Sequence, residues 1–445
     1  MKRTARWIAE ATGGRLVKDA PGAMERATID SRDAGPGTLF VGLPGATADG
    51  GTYAPKAIEN GAWGVLVAEE HADATANCEL PTAIVAVKEP LKALHALARA
   101  WRRELNPKTI GVTGSTGKTS TKDILTALLE PHLSTHASRE NWNTEIGLPL
   151  TILEAERGTE ALVLEMAMRG VGQIAELVAI AEPDVGVIVN VGPVHLELLG
   201  TVERVAAAKA ELIRDMRPGA GAVVPHDEPL LAQHLRKDLQ TLTFGPGGDI
   251  HLNTDGSIDA SGERIELELP FDQPHNLLNT CAAVAAAKLL GVTPGGRVDV
   301  KFSSLRGDVV ELAGGITVVN DCYNANPMSM RAALDHLADT PAERRIAILG
   351  AMAELGPDAD RYHHEIGAHA DERGIDVLVT VGEQALPYAA AFDGETYSVA
   401  TAEEAGALLE EIARPGDRVL VKGSRSVGLE RVLEPDMAHS STSPR

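Results

Sequence analysis

The chain has 445 residues and carries 41 Lys plus Arg against 63 Asp plus Glu, a formal net charge of -22. At that length a single core stops growing, so two to three domains are expected. The charge argues against a broad surface for nucleic-acid phosphates, which needs clustered cations, and 3% aromatic residues give little for base stacking.

Residues 1–16 read as an amphipathic helix, because Lys2, Arg3, Arg6 and Glu10 interrupt any signal-peptide apolar core. Nowhere do 18 apolar residues run together, so no membrane insertion is expected. Cys78, Cys281 and Cys322 are widely spaced with no CxxC pair, which fits a reducing cytoplasm and neither zinc nor a disulfide framework.

Short apolar runs at 38–43 and 64–67, alternating with helical stretches, indicate a small α/β unit ending in a helix over 90–104. Asn106-Pro107 marks a boundary, since a residue before proline leaves the α region. Within this unit Asp30-Ser31-Arg32 and Gly45-Ala-Thr-Ala-Asp49-Gly50 are, by themselves, ordinary surface turns.

From Thr109 the pattern becomes strand, Gly-rich turn and helix. Gly114 and Gly117 let backbone N–H groups close around phosphate oxygens at a helix N-terminus; Lys118 adds positive charge, and the Thr119 hydroxyl can reach Mg²⁺. Strands at 162–164 and 185–189 continue a mainly parallel sheet. Residues 249–272 alternate polar and apolar, predicting an antiparallel excursion before the Ala-rich helix 276–290. A third α/β alternation has strands at 316–319, 345–349, 377–381 and 418–421, and the tail 437–445 reads as disordered.

Further residues separate a nucleotide ligase from the many other users of a phosphate loop. Thr113-Gly114-Ser115-Thr116-Gly117-Lys118-Thr119, Asn141-Trp-Asn143-Thr144-Glu-Ile-Gly-Leu-Pro149, Glu165-Met166, Asn190-Val-Gly-Pro-Val-His195 and Lys209-Ala-Glu211 resemble, in order and spacing, the Mur ligase family of peptidoglycan synthesis. His275-Asn276-Leu-Leu-Asn279 and Asp321-Cys-Tyr323-Asn324-Ala-Asn326-Pro327 extend the resemblance over residues 1–431 and narrow it to the branch that uses D-alanyl-D-alanine. The Asp-Asn-Pro-Arg motif of the branch that adds the third stem residue is absent from the sequence.

The resemblance implies a three-domain α/β architecture. Residues 1–104 would bind the UDP substrate, 105–304 would form a central P-loop parallel-sheet ATPase domain, and 305–445 a Rossmann-like domain for the amine substrate. It implies an ATP-dependent, monomeric enzyme joining D-alanyl-D-alanine to UDP-N-acetylmuramoyl-tripeptide through an acyl phosphate, with hinges near residues 105 and 305.

By the same resemblance, Ser31, Arg32, Gly45 and Asp49 belong to the UDP site, while Asn141, Asn143 and Thr144 touch substrate. Thr119, Glu165 and His195 would hold Mg²⁺. Lys209, which helical spacing alone would put on a solvated face, would be carbamylated and hold a second Mg²⁺. Asn276 and Asn279, open to a helix-capping reading, would join Arg306, Asp321, Tyr323, Asn324 and Asn326 around the nucleotide.

Lys422, Ser424 and Arg425, with Gly350-Ala351-Met-Ala-Glu-Leu-Gly356 and His364, would line the amine side. Ala351 stands where the family commonly has Asp, and Thr144 where it has Asn; the first change removes an acceptor. Other amide ligases with this ATP machinery, a regulatory nucleotide-binding relative, and a P-loop motor or kinase remain as alternatives.

Overall fold

The computed structural model describes residues 2–76, 78–139, 141–305 and 307–433. Arg306 and the tail 437–445 lie outside them. The first sheet has five strands in the order Arg15–Lys18, Ala83–Val87, Gly64–Ala68, Thr38–Val41, Arg26–Thr28; the first pair is antiparallel and the others are parallel. Its period-2 alternation feeds two cores. Leu39, Val41, Leu66 and Val85 face the helices Ala5–Thr12 and Pro90–Leu105, while Phe40, Val65, Val67 and Ile84 face Ala54–Glu59.

The opening helix is shorter than the sequence pattern implies. Gly13 adopts a left-handed conformation (φ 65°) and its N–H closes the helix on the Ala9 and Glu10 carbonyls, so Leu16 enters the sheet.

A nine-stranded sheet follows, with Lys108–Thr113 between Ala161–Glu165 and Val185–Ile188, all parallel. Its far edge turns antiparallel at Ile250–Leu252, Ile258–Ala260 and Glu263–Ile265, as the alternation in that segment requires. A six-stranded sheet completes the chain in the order Asp308–Leu312, Ile316–Asp321, Asp417–Lys422, Arg344–Gly350, Val377–Val381, Glu395–Val399; only its first pair is antiparallel.

In this last sheet the Arg344 guanidinium donates to Asp417 at 3.1 and 2.7 Å, and the Asp417 side chain is almost wholly buried. Arg344→Ala strands that carboxylate, so a loss of about 3–5 kcal/mol is expected. Urea unfolding checks this, and a midpoint unchanged from wild type would contradict it.

The two interdomain junctions are built differently. The junction near 105 is fastened: Trp101 is fully buried and donates Nε1–H to the Ala155 carbonyl at 2.9 Å, and Arg102 donates to Thr109 Oγ1 and the Glu182 carbonyl. Asn106 ends that helix in a left-handed conformation (φ 49°), with a continuous apolar core running from Leu94 and Trp101 to Leu148 and Leu162. Movement there would expose this core. Near 305, Leu305 and Gly307 take φ values of 61° and 84°, and Ser303 is tied by its N–H (2.9 Å) and hydroxyl (3.1 Å) to Asp123, on the helix Lys118–Leu129.

Candidate active site

Three neighbouring strands of the nine-stranded sheet end side by side. Their carboxyl ends deliver the phosphate loop after Thr113, the carboxylate Glu165, and the segment from Asn190 to His195. Crevices at such strand ends are where open α/β sheets take ligands. Here a cavity of about 1110 Å³ opens between the central and C-terminal sheets.

Within the phosphate loop the work is divided. Asn190 Oδ1 accepts the Ser115 and Thr116 N–H groups at 3.0 and 2.9 Å, and its Nδ2 donates to the Thr116 carbonyl. Ser115 Oγ bridges to Gly192, accepting its N–H at 2.8 Å. Those residues therefore shape the loop at the N-terminus of the helix Lys118–Leu129, a position suited to an anion. Lys118 Nζ donates to the Gly114 carbonyl at 2.8 Å. Thr113 and Gly114 lie buried behind the loop. Asn190 was not singled out as a binding residue; its place in a strand-end Asn-Val-Gly-Pro turn was the available signal.

Gly117 has φ 74°, and a Cβ there would stand 2.8 Å from Asn279 Oδ1. Gly117→Ala combines that close contact with left-handed strain of about 1–2 kcal/mol. The expected result is lost nucleotide binding at nearly unchanged helix content, read by ADP titration calorimetry and circular dichroism. Wild-type ADP affinity would show that the contact is relieved cheaply.

Thr119 Oγ1 donates to Glu165 Oε2 at 2.7 Å, and Asn143 Nδ2 donates to Glu165 Oε1 at 2.8 Å. Cis ligands in an octahedral magnesium shell lie about 2.9 Å apart, from bond lengths of about 2.0–2.1 Å, so this oxygen pair fits Mg²⁺. His195 starts the next helix in a left-handed conformation (φ 54°) and its Nδ1 meets Glu354 from the C-terminal sheet. Burial, joined by the nearby Lys118 charge, outweighs Glu354 and holds this imidazole below its ordinary range.

Lys209 corrects the solvated-face expectation. It is 2% exposed, and no hydrogen bond or ion pair engages its ammonium among the described residues. Burial first, and the Lys118 charge second, drive it well below an ordinary lysine, so its neutral amine is favoured. Two residues on, Glu211 accepts the Gly172 and Ala175 N–H groups and so caps the helix Gln173–Ala181.

Asn276 and Asn279 are not caps, because the helix already begins at Pro274; both face the cavity, with Asn279 against the phosphate loop. Phe271 and Phe302 pair at 5.4 Å and, with Leu278, give this region of the cavity an apolar lining. Asn141 and Thr144 line the cavity too.

From the C-terminal sheet come Asp321, Tyr323, Asn324 and Asn326. Lys422, only 1% exposed, donates to Asp321 Oδ2 at 2.6 Å and to the Asn324 carbonyl at 3.0 Å, so it braces this loop from behind. Asn326 caps the helix Pro327–Asp339 through Ser329, and its Nδ2 points to the Ser115 carbonyl at 3.5 Å. Ser424 Oγ accepts the Ala353 N–H at 2.8 Å; Arg425 pairs with Glu430 at 3.2 Å. His364 is exposed, whereas its neighbour His363 is buried and accepts the Met352 N–H at 2.9 Å.

Ser31, Arg32, Gly45 and Asp49 do not line this cavity. Their turns, Ser31–Asp33 and Gly50–Tyr53 with its flank, both pack on the helix Ala54–Glu59. Arg32 is exposed and clasped by Asp30, whose carboxyl it pulls to about 2; Asp49 accepts from His71 at 2.8 Å and from the Gly51 N–H.

Comparison with known proteins agrees with this layout. Residues 25–102 match the Mur ligase family catalytic domain, 112–287 the Mur ligase middle domain, and 305–425 the Mur ligase glutamate ligase domain. A UDP-N-acetylmuramoyl-tripeptide–D-alanyl-D-alanine ligase from Synechocystis is 36% identical over 423 residues, spanning 93% of this chain and 92% of its own. The crystal structure of MurF from Acinetobacter baumannii matches with a TM-score of 0.88 at 27% identity, covering 98% and 99% of the two chains. MurF ligase from Thermotoga maritima, solved in complex with ADP, matches with a TM-score of 0.81 at 32% identity over 94% and 99%. With its phosphate loop, carboxylate and buried lysine set at one cleft, and with relatives alike over nearly their full length, this chain belongs to the Mur ligase family.

Proposed function

We propose that this chain is the ATP-dependent ligase that joins D-alanyl-D-alanine to UDP-N-acetylmuramoyl-tripeptide, giving the pentapeptide precursor of peptidoglycan, ADP and phosphate. The observation that carries it is the cavity where Lys118, Thr119 and Glu165 of the central sheet face Asp321, Tyr323 and Asn324 of the C-terminal sheet. The similarity to UDP-N-acetylmuramoyl-tripeptide–D-alanyl-D-alanine ligases over nearly the whole chain supports the choice of substrates. The division at 1–104, 105–304 and 305–445 is part of this reading, with one main sheet in each.

The tripeptide's terminal carboxylate oxygen attacks the γ-phosphorus of ATP in line, the bond to the β-phosphate oxygen breaks, and ADP leaves. Lys118 and the amides at the start of Lys118–Leu129 stabilise the charge that shifts onto the phosphates. The dipeptide amine then attacks the acyl carbon, the carbon–oxygen bond to phosphate breaks, and the nitrogen loses a proton. Asn143 holds Glu165 in place, and the C-terminal loop 321–326 covers the cleft from water.

Thr119 and Glu165 would hold one Mg²⁺; His195, with Lys209 as its carbamate, would hold a second. When bound, these ions would offset repulsion between carboxylate and γ-phosphate. The neutral, unpartnered Lys209 amine supports carbamate formation, since only a free amine attacks CO₂. The turns at Ser31–Arg32 and Gly45–Asp49 would take the UDP end. We further read the chain as a cytoplasmic monomer; no helix among the described residues is long and apolar enough to cross a membrane.

The test measures phosphate release and product mass with MgATP, the UDP-tripeptide and D-alanyl-D-alanine, each omitted in turn. A pentapeptide that needs all three supports the assignment. ATP turnover without peptide joining would redirect it to another amide ligase or a regulatory ATPase.

A further inference from the structure

The loop 350–356 reaches out of the C-terminal sheet and meets the central domain, Gly356 lying against Glu197 and Glu354 making the polar contacts. Glu354 Oε2 meets His195 Nδ1, its Oε1 lies 3.4 Å from Arg169 Nε, and its carbonyl accepts the Glu197 N–H at 3.2 Å. Glu354 and His195 are both non-glycine residues in the left-handed region, with φ 61° and 54°. Such backbones are uncommon and persist where the surroundings over-determine them, often at functional sites.

The loop is braced from its own side as well. Met352 N–H donates to His363 Nε2 at 2.9 Å, and Ala353 N–H donates to Ser424 Oγ at 2.8 Å. His363 is 1% exposed, and Ser424 is 3% exposed. The position of the Glu354 carboxylate is therefore set by the seating of the C-terminal domain.

An ionised carboxylate only accepts hydrogen bonds, so a proton sits on His195 Nδ1 and the lone pair is left on Nε2. Among the described residues no hydrogen bond engages that Nε2. Metal-binding histidines are generally oriented this way, with the second ring nitrogen donating to a carboxylate. Here that carboxylate arrives from the other side of the cleft.

We propose that Glu354 is a positioning residue that fixes the tautomer and ring direction of His195, so that the metal site at His195 is complete only when the C-terminal domain is seated. This rests on the reading of His195 as a metal ligand. It makes domain seating a condition for holding the second ion, which couples arrival of the amine-binding domain to readiness for phosphoryl transfer.

The probe is Mn²⁺, titrated into the full chain with a non-hydrolysable ATP analogue bound and followed by electron paramagnetic resonance. Glu354→Ala is expected to weaken the looser Mn²⁺ about 10- to 100-fold while the tighter one is unchanged. Glu354→Gln, whose amide oxygen still accepts from Nδ1, should recover most of that loss. In a His195→Ala background, Glu354→Ala should add nothing.

Unaltered Mn²⁺ binding in Glu354→Ala, with binding weakened in His195→Ala, would overturn the role of Glu354 alone. Full additivity of the two changes would also overturn it, because Glu354 would then be a simple strut between domains. No effect of His195→Ala would instead remove the metal reading on which the inference stands.

Discussion

Replacing Lys118 by alanine should leave a folded chain that releases almost no phosphate. Lys118 Nζ lies at the mouth of the phosphate loop, donating to the Gly114 carbonyl at 2.8 Å, and it faces the main cavity. In a cleft with restricted water, a preorganised cation aimed at migrating charge lowers the barrier more than it strengthens ground-state binding. A fall on the order of 10³-fold in kcat, equivalent to about 4 kcal/mol, is expected, with a smaller change in the KM for ATP. Single-turnover phosphate release measures it. A change in KM alone would assign Lys118 to binding and not to the transfer step.

Lys209→Met should be equally damaging, for a different reason. The wild-type side chain is buried without a partner, and burial together with the Lys118 charge favours its neutral amine. With ¹³C-labelled bicarbonate the wild-type chain should show a carbamate resonance that Lys209→Met lacks, alongside a loss of turnover on the order of 10³-fold. A silent spectrum together with full turnover in the variant would refute the carbamate.

The pH dependence has a fixed sign. In CO₂-free buffer the unfolded lysine, with its ordinary value of 10.5, stays protonated where the folded one is neutral. The unfolded state therefore binds more protons in the window between the depressed folded value and 10.5, and stability rises with pH across it. Relative to Lys209→Met, wild-type chemical stability should climb with pH in that window; a falling or flat difference would mean that Lys209 is charged in the fold.

Much of this site is written locally in the sequence. A strand, a glycine turn, a Lys-Thr pair and a helix follow one another within residues 108–129, so the phosphate loop is legible without tertiary information. Glu165 and His195 follow apolar strands, and parallel pairing of those strands with Lys108–Thr113 is enough to bring them to one edge. The antiparallel excursion near 250–265 follows from alternation alone.

Lysine as a residue type points to solvent, but the position of Lys209 on its helix points inward. Along its helix, Val205, Ala208, Leu212 and Ile213 form the buried stripe, and Lys209 lies four residues from both Val205 and Ile213, inside it. The signal was present in the spacing. Glu354 and Asn190 were harder to find, since their roles depend on segments 159 and 75 residues away in the chain, meeting His195 and Ser115. The packing near 105 is non-local in the same way: Asn106-Pro107 shows where a helix stops, and the bond from Trp101 to Ala155 spans 54 residues of chain.

The tie between Ser303 and Asp123 fastens the segment entering the C-terminal sheet to the same helix that begins with the phosphate loop. Asp123 is five residues along the helix from Lys118, an axial distance of about 8 Å at 1.5 Å per residue. The entry to the last sheet and the phosphate loop are therefore spaced by a single helix, so the separation between them is set by the length of that helix.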